Sequence, residues 1–307
     1  MRRLAVAGLA CDVSKPLGLP GRAGNRGPLR RPNVTVPSMA SVLSTLRAAL
    51  RPWREREYER RFARDCFGCF RGVYRSFEEA NLSAPASKPA GFDSASYAAE
   101  FADRRERVLS FDYPMLFWLR ELLREGCVLF DFGGHVGTHF YSYSRYISYP
   151  PGMRWVVYEL PAIRKAGEEL ARERGRGMLE FRSNVADADG ADILVAAGSV
   201  QYVESPPLAE MLSALARKPA HLLLNKLPLY DGPQFVTLQN GSVAFHPQYV
   251  FNRTEFVTAL TALGYRLRDQ WSVETHPGLI PFHPERSFPF HSGLYMMLDA
   301  TVPAGRA

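Results

Sequence analysis

The sequence predicts an α/β fold in which helices cover both faces of a mostly parallel sheet. From residue 128 onward, short apolar runs with strand character alternate with segments of helical periodicity. This alternation is typical of parallel sheets, because the helix that links two parallel strands packs back against the sheet. Hydrophobic residues make up 46% of the chain and aromatic residues 12%, which supplies enough apolar side chains for such a core.

The individual elements follow from the apolar runs and their periodicity. The predicted strands are Val128–Phe132, Arg154–Tyr158, Leu179–Arg182, Asp192–Ala197, His221–Lys226, Tyr265–Trp271 and Gly293–Asp299. The predicted helices are Thr138–Ile147, Ala162–Arg174, Pro207–Ala216 and Arg253–Leu263. The long stretch Pro228–Asn252 interrupts this alternation of strands and helices. We expect an insertion of this kind to form a lid over the substrate.

The N-terminal third has a different composition, and we divide the chain into three parts. Residues 1–38, rich in Arg, Gly and Pro, are expected to be a disordered basic tail or to precede the true start at Met39. An export signal at Leu4–Cys11 is the less favoured interpretation. Residues 39–125 are expected to be a helical extension, and residues 126–307 the main domain. Helices are predicted at Ser94–Arg107 and Tyr113–Glu125, and a capping box at Ser76 and Glu79.

The positive charge is concentrated at the N-terminus. Residues 1–64 contain 14 Lys and Arg against 4 Asp and Glu, whereas residues 65–307 contain 24 against 27. The main domain is therefore slightly acidic, which argues against a nucleic-acid partner. The basic arm after Met39 is expected to be a solvated helix docked on the domain, with peripheral membrane contact as the alternative. No apolar run is long enough to span a membrane, and we expect a cytoplasmic protein.

The four cysteines are too few and too scattered for a disulfide scaffold. Cys66 and Cys69 form an isolated C-x-x-C pair, which we expect to be two ordinary reduced thiols and not a zinc or redox site. His135 and His139 are four residues apart, but no Glu stands between them as in the H-E-x-x-H zinc motif. The sequence therefore predicts no metal site.

The most informative stretch is Asp131-Phe132-Gly133-Gly134-His135-Val136-Gly137, which follows the first predicted strand of the domain. A strand, a glycine turn and a helix start form a loop in which backbone N–H groups can approach a ligand closely. The dinucleotide fingerprint G-x-G-x-x-G fails here, because neither His135 nor Thr138 is a glycine. An acid two residues before the first glycine suits a ligand that carries an ammonium and a sulfonium, namely S-adenosylmethionine.

A second acid supports this cofactor. Glu159 ends the next predicted strand, 22 residues after Gly137. A carboxylate at this position can accept hydrogen bonds from both ribose hydroxyls. In the alternative interpretation, Glu159 is an acid that faces solvent at the end of a strand.

These motifs resemble the class I S-adenosylmethionine-dependent methyltransferases. More narrowly, Gly72–Ala80 and Ala196–Val203 resemble an uncharacterised family of bacterial proteins linked to surface-polysaccharide (O-antigen or capsule) gene regions. The resemblance covers about Cys66 to Asp299. It implies a seven-stranded, mostly parallel, Rossmann-like sheet with one antiparallel strand near its edge.

The resemblance also implies where the cofactor binds. The methionine part would lie over Gly133–Gly137, and the ribose at Glu159. The remaining expected cofactor contacts are Gly134, Leu160, Asn184, Val185, Gly198, Ser199 and Gln201. His135 replaces the middle glycine of the family motif, so its side chain is expected to point away from the cofactor and toward the substrate cleft.

O-methylation usually requires a base, since a sugar hydroxyl is a poor nucleophile until its proton is removed. His135 is the leading candidate by position, and a structural hydrogen bond at the helix start is its alternative role. His246, in the predicted lid, and Tyr202 are the other catalytic candidates. The leading hypothesis is a methyltransferase that acts on a sugar or a glycan-linked small molecule. The alternatives are a catalytically silent cofactor-binding or scaffold protein of a glycan-assembly pathway, and an RNA or DNA methyltransferase.

Overall fold

The computed structural model describes residues 39–91, 107–241, 243–275 and 277–299. Residues Arg51–Ala307 form one compact unit, and Met1–Leu50 are assigned to a second unit. The predicted basic tail and the predicted helix Ser94–Arg107 lie almost entirely outside the described residues, as does His276.

The described chain forms seven α-helices and eleven strands. The helices are α1 (Met39–Phe62), α2 (Phe77–Leu82), α3 (Tyr113–Leu122), α4 (Thr138–Tyr143), α5 (Pro161–Glu173), α6 (Leu208–Ser213) and α7 (Arg253–Ala262). The strands are β1 (Phe70–Tyr74), β2 (Val128–Phe132), β3 (Arg154–Tyr158), β4 (Leu179–Arg182), β5 (Ile193–Ala197), β6 (His221–Leu227), β7 (Leu229–Tyr230), β8 (Phe235–Asn240), β9 (Phe245–Asn252), β10 (Tyr265–Val273) and β11 (His291–Leu298). None of these helices is both long and apolar enough to cross a bilayer.

The large sheet has seven strands in the order β10-β11-β6-β5-β2-β3-β4. β2 to β6 are parallel to one another, and β11 runs antiparallel to both of its neighbours. The predicted seven-stranded, mostly parallel sheet is therefore confirmed, including one antiparallel strand near the edge. After β4 the chain returns to pair β5 with β2, so the strand order reverses between these two neighbours.

Helices cover both faces of this sheet, as predicted. One face packs on α3, α4 and α5 around the fully buried side chains of Tyr143 and Trp155. The other face packs on α6 and α7 through residues such as Leu212 and Leu260. All five side chains of β5 are buried, because a central parallel strand has a helical layer on each side.

A second, smaller sheet has the order β1-β8-β9-β7. Its first strand, β1, lies in the part of the chain that we predicted to be a helical extension, and it pairs antiparallel with β8. The extension is therefore not purely helical. Residues Pro228–Asn252, predicted as an interrupting insertion, form the strands β7, β8 and β9 of this sheet. Phe77 and Ala80 of α2 pack on its outer face against Val236 of β8.

The structure confirms the predicted cap of α2 and corrects the predicted end of α4. Ser76 caps α2 by accepting a hydrogen bond from the N–H of Glu79 (3.1 Å), whereas the Glu79 carboxylate accepts from the N–H of Arg75 (2.8 Å). α4 ends at Tyr143 and not at Ile147, because the next turn is tightened by an N–H of Tyr146 that donates to the carbonyl of Tyr143 (2.8 Å).

The expectation of two reduced thiols in the C-x-x-C pair was wrong. The structure joins Cys66 and Cys69 in a disulfide with a Cα–Cα distance of 5.4 Å. A turn between α1 and β1 brings the two residues together, and the N–H of Cys69 donates to the carbonyl of Cys66 (3.0 Å). Cys127 is a free, buried cysteine.

Candidate functional site

The candidate site lies at the carboxyl edge of the large sheet, where β2 and β5 are neighbours. In open α/β sheets, ligands bind in the crevice beyond the carboxyl ends of the strands, at the point where the strand order reverses. The glycine turn follows β2 at this edge, and Gly198 and Ser199 follow β5. The fold therefore brings two sequence-distant candidate segments to one place.

The glycine turn has backbone conformations that explain its sequence. Gly133 (φ 71°) and Gly137 (φ 83°) both adopt the left-handed region that favours glycine. The N–H of Gly133 donates to the carbonyl of Tyr158 (3.0 Å), which ties the turn to the end of β3. A Cβ on Gly133 would overlap the Ser199 side chain, and one on Gly134 would overlap the Asp131 carboxylate.

Asp131 is fully buried at the end of β2. Its Oδ2 accepts a hydrogen bond from Nε1 of Trp155 (3.1 Å) and lies 3.7 Å from Nδ1 of His139. Its Oδ1 has no hydrogen-bond partner in the described structure. A buried carboxylate oxygen without a donor is costly, so this atom is suited to a donor or a positive charge from outside the chain.

Glu159 connects the end of β3 to the glycine turn. Its Oε1 accepts a hydrogen bond from the backbone N–H of His135 (2.8 Å), and its Oε2 accepts from the N–H of Leu160 (2.9 Å). Charge-assisted bonds of this kind hold the carboxylate in one orientation. Glu159 is therefore not merely a solvent-facing acid, because it fixes the loop that follows Asp131.

His135 adopts a left-handed backbone conformation (φ 56°), which is uncommon for a residue other than glycine. Glycine would adopt this conformation without strain. The side chain is buried, and its Nδ1 lies 3.5 Å from Oγ1 of Thr138 in the first turn of α4. The contact corresponds to the structural alternative that we considered for His135, and a role in the substrate cleft stays a prediction.

The predicted adenine contacts lie beyond the end of β4, at the same edge. The Asn184 side chain caps the 3-10 turn Val185–Ala188 by accepting from the N–H of Ala186 (3.0 Å). Val185 is partly buried against the core. Leu160 begins the approach to α5 and is 38% exposed, which leaves its apolar side chain accessible to a ligand.

The segment after β5 forms the floor of the crevice between the two strand ends. The Ser199 hydroxyl donates to the carbonyl of Phe132 (2.5 Å), so this segment is bonded to the glycine turn. Gln201 lies in the 3-10 turn Val200–Tyr202 and is 3% exposed, and its Oε1 has no partner in the described structure. Gly198, Ser199 and Gln201 therefore follow β5 at the carboxyl edge of the sheet, and their contact with a cofactor stays a prediction.

Sequence reasoning missed Lys226, near the carboxyl end of β6. It has a left-handed backbone (φ 55°), and its Nζ lies 3.1 Å from the position that a Cβ on Gly198 would take. The same amine lies over the ring of Phe111, 5.5 Å from its centre. The available signal was its place at the end of a predicted strand, because ligand-binding residues concentrate there.

The inner face of the small sheet lies against the 3-10 turn Val200–Tyr202. The Tyr202 hydroxyl donates to Oε1 of Gln239 (2.6 Å), and the rings of Tyr202 and His246 are 6.2 Å apart. Gln248, another residue that sequence reasoning missed, is 1% exposed on the same strand as His246. Neither amide atom of Gln248 has a hydrogen-bond partner in the described structure.

Burial determines the protonation of both candidate bases on this face. It lowers the pKa of His246 to about 4, so the imidazole is neutral near pH 7. Burial also raises the pKa of Tyr202 strongly, although a hydrogen bond with Gln201 opposes this, so the phenol stays protonated. Tyr202 is therefore suited to donating a hydrogen bond and poorly suited to removing a proton.

No family model matches the sequence, and no curated protein matches it. Solved structures that resemble it include an S-adenosylmethionine-dependent methyltransferase from Aquifex aeolicus, with 16% identity, a TM-score of 0.44, and coverage of 67% of this chain and 99% of that chain. A magnesium protoporphyrin IX methyltransferase from Synechocystis has 13% identity, a TM-score of 0.42, and coverage of 61% and 81%. A methyltransferase from Mesorhizobium loti has 13% identity, a TM-score of 0.39, and coverage of 61% and 98%.

Proposed function

We propose that this protein is an S-adenosylmethionine-dependent methyltransferase. The observation that carries the proposal is the arrangement of Asp131, the glycine turn and Glu159 at the reversal of strand order. Asp131 offers a carboxylate oxygen that has no hydrogen-bond partner among the described residues, and Glu159 fixes the turn through the N–H of His135 (2.8 Å). An acid before the glycines disfavours a pyrophosphate and favours a cationic ligand.

The residues present fit this cofactor. Asp131 and the turn Gly133–Gly137 would hold the methionine part, and Glu159 would accept the ribose hydroxyls. Leu160, Asn184 and Val185 would surround the adenine, and Gly198, Ser199 and Gln201 would lie beneath the reacting group. When bound, the cofactor supplies an electrophilic methyl group on a positively charged sulfur.

The inner face of the small sheet is the proposed acceptor side. Gln248 on this face and Gln201 in the facing 3-10 turn have amide atoms without hydrogen-bond partners in the described structure, and the imidazole of His246 is neutral near pH 7. Neutral donors and acceptors of this kind suit a hydroxyl-bearing molecule, since hydroxyl groups can satisfy both. This supports O-methylation of a sugar or a glycan-linked small molecule, as the resemblance to the polysaccharide-linked family implies.

The second candidate function is a catalytically silent cofactor-binding or scaffold protein. The observation that favours it is the poor basicity of the two candidates on the acceptor side, Tyr202 and His246. An RNA or DNA methyltransferase is disfavoured, because residues 65–307 carry 24 Lys and Arg against 27 Asp and Glu.

Binding is the first test of the proposal. We expect isothermal titration calorimetry to detect S-adenosylmethionine and S-adenosylhomocysteine but not NAD. Asp131→Ala and Glu159→Ala should each abolish binding while the circular dichroism spectrum stays native. Glu210→Ala, an exposed acid on α6, is the control and should bind as the wild type does. Wild-type affinity in both site variants would refute the site.

Turnover separates the enzyme from the silent binder. The wild-type protein is incubated with S-adenosylmethionine and a panel of nucleotide sugars and free glycosides, and S-adenosylhomocysteine is quantified. We expect acceptor-dependent formation of S-adenosylhomocysteine. Tight cofactor binding without turnover on a broad panel, including short RNA and DNA, would favour the silent-binder alternative.

A further inference from the structure

We propose that Lys226 is the residue that receives the acceptor proton during methyl transfer. This inference rests on the proposed function, because it places the amine beside the group that would be transferred. It also supplies the site with a base, since burial leaves the phenol of Tyr202 protonated and lowers the pKa of His246 to about 4.

The backbone of Lys226 is the first observation. Outside glycine and asparagine, a left-handed residue (φ 55° here) is energetically unfavourable and persists only where its surroundings hold it. The buried Asn225 side chain accepts a hydrogen bond from the Lys226 N–H (3.0 Å), and Nε2 of Gln201 lies 3.5 Å from the Lys226 carbonyl. Strain of this kind is concentrated at functional sites.

The position of the amine is the second observation. Cε and Nζ of Lys226 lie 2.8 and 3.1 Å from the position of a Cβ on Gly198, so any larger residue there would displace the amine. Gly198 is adjacent to Ser199, whose side chain packs against Gly133 of the glycine turn. Lys226 thus continues the line of contacts that crosses the ends of β2, β5 and β6.

The side chain of Asn225 holds Lys226 and Phe111 in place from within the core. The side chain is fully buried, and its Nδ2 donates to the carbonyl of Phe111 (2.9 Å), while its Oδ1 also accepts from Nε1 of Trp271 (3.0 Å). One asparagine therefore positions both the backbone of Lys226 and the segment whose ring lies under the amine. The Phe111 ring stabilises the ammonium form in the absence of ligand.

A sulfonium at this edge changes the charge of the amine. Two positive charges in a partly buried site repel each other, so a sulfonium bound beside Lys226 would favour the neutral amine over the ammonium. The titratable residues next in sequence to its contacts Phe111 and Gln201 are Asp112 and Tyr202. A Lys226 variant leaves these groups in place, so its difference from the wild type isolates the lysine.

The proposed step is balanced in atoms and charge. An oxygen lone pair of the acceptor hydroxyl forms the new O–CH₃ bond, and the S–CH₃ bond breaks with its electron pair left on sulfur. The hydroxyl proton moves to Nζ of Lys226. The sulfonium becomes a neutral thioether, the amine becomes an ammonium, and the net charge of the site is unchanged.

The test requires no acceptor. The affinities for S-adenosylmethionine and S-adenosylhomocysteine are measured by calorimetry from about pH 7 to about pH 10, around the ordinary lysine pKa. The two ligands share the amino acid, ribose and adenine, so the ratio of their affinities reports the sulfonium. In the wild type, we expect the preference for S-adenosylmethionine to rise about tenfold with pH, as the ammonium is lost.

Lysine variants identify the group responsible. Lys226→Met should raise the preference for S-adenosylmethionine about tenfold at pH 7 and remove its pH dependence. Lys226→Arg should keep the low preference at every pH, because a guanidinium stays charged. Lys226→Gly suits the left-handed backbone and repeats the Met test if that variant fails to fold. Lys165→Met, an exposed lysine on α5, is the matched control and should behave as the wild type does.

The possible results distinguish a failure of the proposed function from a failure of the assignment of Lys226. If the wild type binds neither ligand, the proposed function fails. If both ligands bind but their ratio is independent of pH and unchanged in Lys226→Met, the function survives and the assignment of Lys226 is overturned. Once an acceptor is known, Lys226→Met should lower kcat at least a hundredfold even though the variant binds S-adenosylmethionine at least as tightly as the wild type does.

Discussion

The two sides of the candidate site are assembled in different ways. The cofactor side comes from one strand–turn–helix–strand unit, in which Asp131 accepts from Trp155 and Glu159 accepts from His135, each 24 residues away. The acceptor side joins the turn after β5 to β8 and β9, so that the hydroxyl of Tyr202 reaches Gln239 (2.6 Å) across the interface of two sheets. A local motif can be recognised in a sequence, whereas a surface formed by distant segments becomes visible only in the fold.

The two sides also differ in charge. The cofactor side concentrates carboxylates, and both oxygens of Glu159 accept backbone N–H groups. The described acceptor side is mostly neutral, with the amide of Gln248 and the imidazole of His246 buried. We therefore expect substitutions on the cofactor side to act on binding of a charged ligand, and those on the acceptor side to act on protein stability and acceptor choice.

The largest effect is expected at Gly134. Valine there would overlap the buried Asp131 carboxylate, so Gly134→Val should cost about 3 kcal/mol of unfolding free energy and lower the S-adenosylmethionine affinity at least a hundredfold. Urea denaturation and calorimetry measure the two quantities. The control is Gly177→Ala, because a Cβ at Gly177 meets nothing within 4 Å. Near-wild-type values for Gly134→Val would mean that the turn tolerates a side chain.

The second largest effect concerns His246 on the acceptor side. Its pKa of about 4 lies below the ordinary value, so the folded protein binds fewer protons than the unfolded chain between about pH 6.5 and pH 4. The contribution of the neutral His246 imidazole to the stability of the folded protein is fully present above about pH 6.5 and is lost as the pH falls through this range. Between about pH 7 and about pH 4.5, the wild type should lose about 2 to 3 kcal/mol more unfolding free energy than His246→Gln does.

Urea denaturation at the two pH values measures this difference, since the other titrating groups are common to both proteins. Equal pH dependence in the wild type and His246→Gln would show that the imidazole is solvated. The cofactor affinity near pH 7 should be the same in both, which separates the two sides of the site.

A smaller effect is expected for Glu159→Gln. The amide keeps one acceptor oxygen but turns an N–H₂ group toward one of the two backbone donors, His135 or Leu160. We expect about 30-fold weaker binding of S-adenosylmethionine, or about 2 kcal/mol, by calorimetry. Glu180→Gln on the neighbouring strand β4 removes the ion pair with Arg154 and should leave the affinity unchanged. An unchanged affinity in Glu159→Gln would exclude the carboxylate from ribose binding.

The smallest effect is expected for His135→Gly. Glycine accepts the left-handed backbone and keeps the N–H that donates to Glu159 (2.8 Å), so the S-adenosylmethionine affinity should change by less than about threefold. His135→Val keeps the N–H but disfavours this backbone conformation, and it should bind more weakly. A large loss of affinity in His135→Gly would show that the imidazole itself contacts the cofactor.

The sequence predicted the large sheet well, because each of its strands is a local apolar run between turn residues, as at Val128–Phe132 and Ile193–Ala197. It also predicted the residues that meet at the carboxyl edge, since they follow those strands directly. β1 was missed because Phe70–Tyr74 becomes a strand only by pairing with β8, far along the chain. The disulfide between Cys66 and Cys69 depends on the turn that joins α1 to β1.

Lys226 and Gln248 could not be singled out from the sequence for a related reason. Lys226 is distinguished by its backbone conformation (φ 55°), which is set by Asn225 and by the neighbouring strand ends. Gln248 is distinguished by burial without a partner, and nothing in the alternation of Phe245–Asn252 predicts that both faces of β9 are covered.

The pairing of β1 with β8 has a consequence for synthesis of the protein on the ribosome. Tyr74 leaves the ribosome 161 residues before Phe235, which corresponds to roughly 10 to 30 s at ordinary elongation rates. Strands β2 to β5, which carry the cofactor side, emerge within that interval. During that interval β1 has no partner strand in the small sheet, and unpaired strands invite association with other chains. Nascent chains stalled before Phe235 should thus be the species that most needs a chaperone.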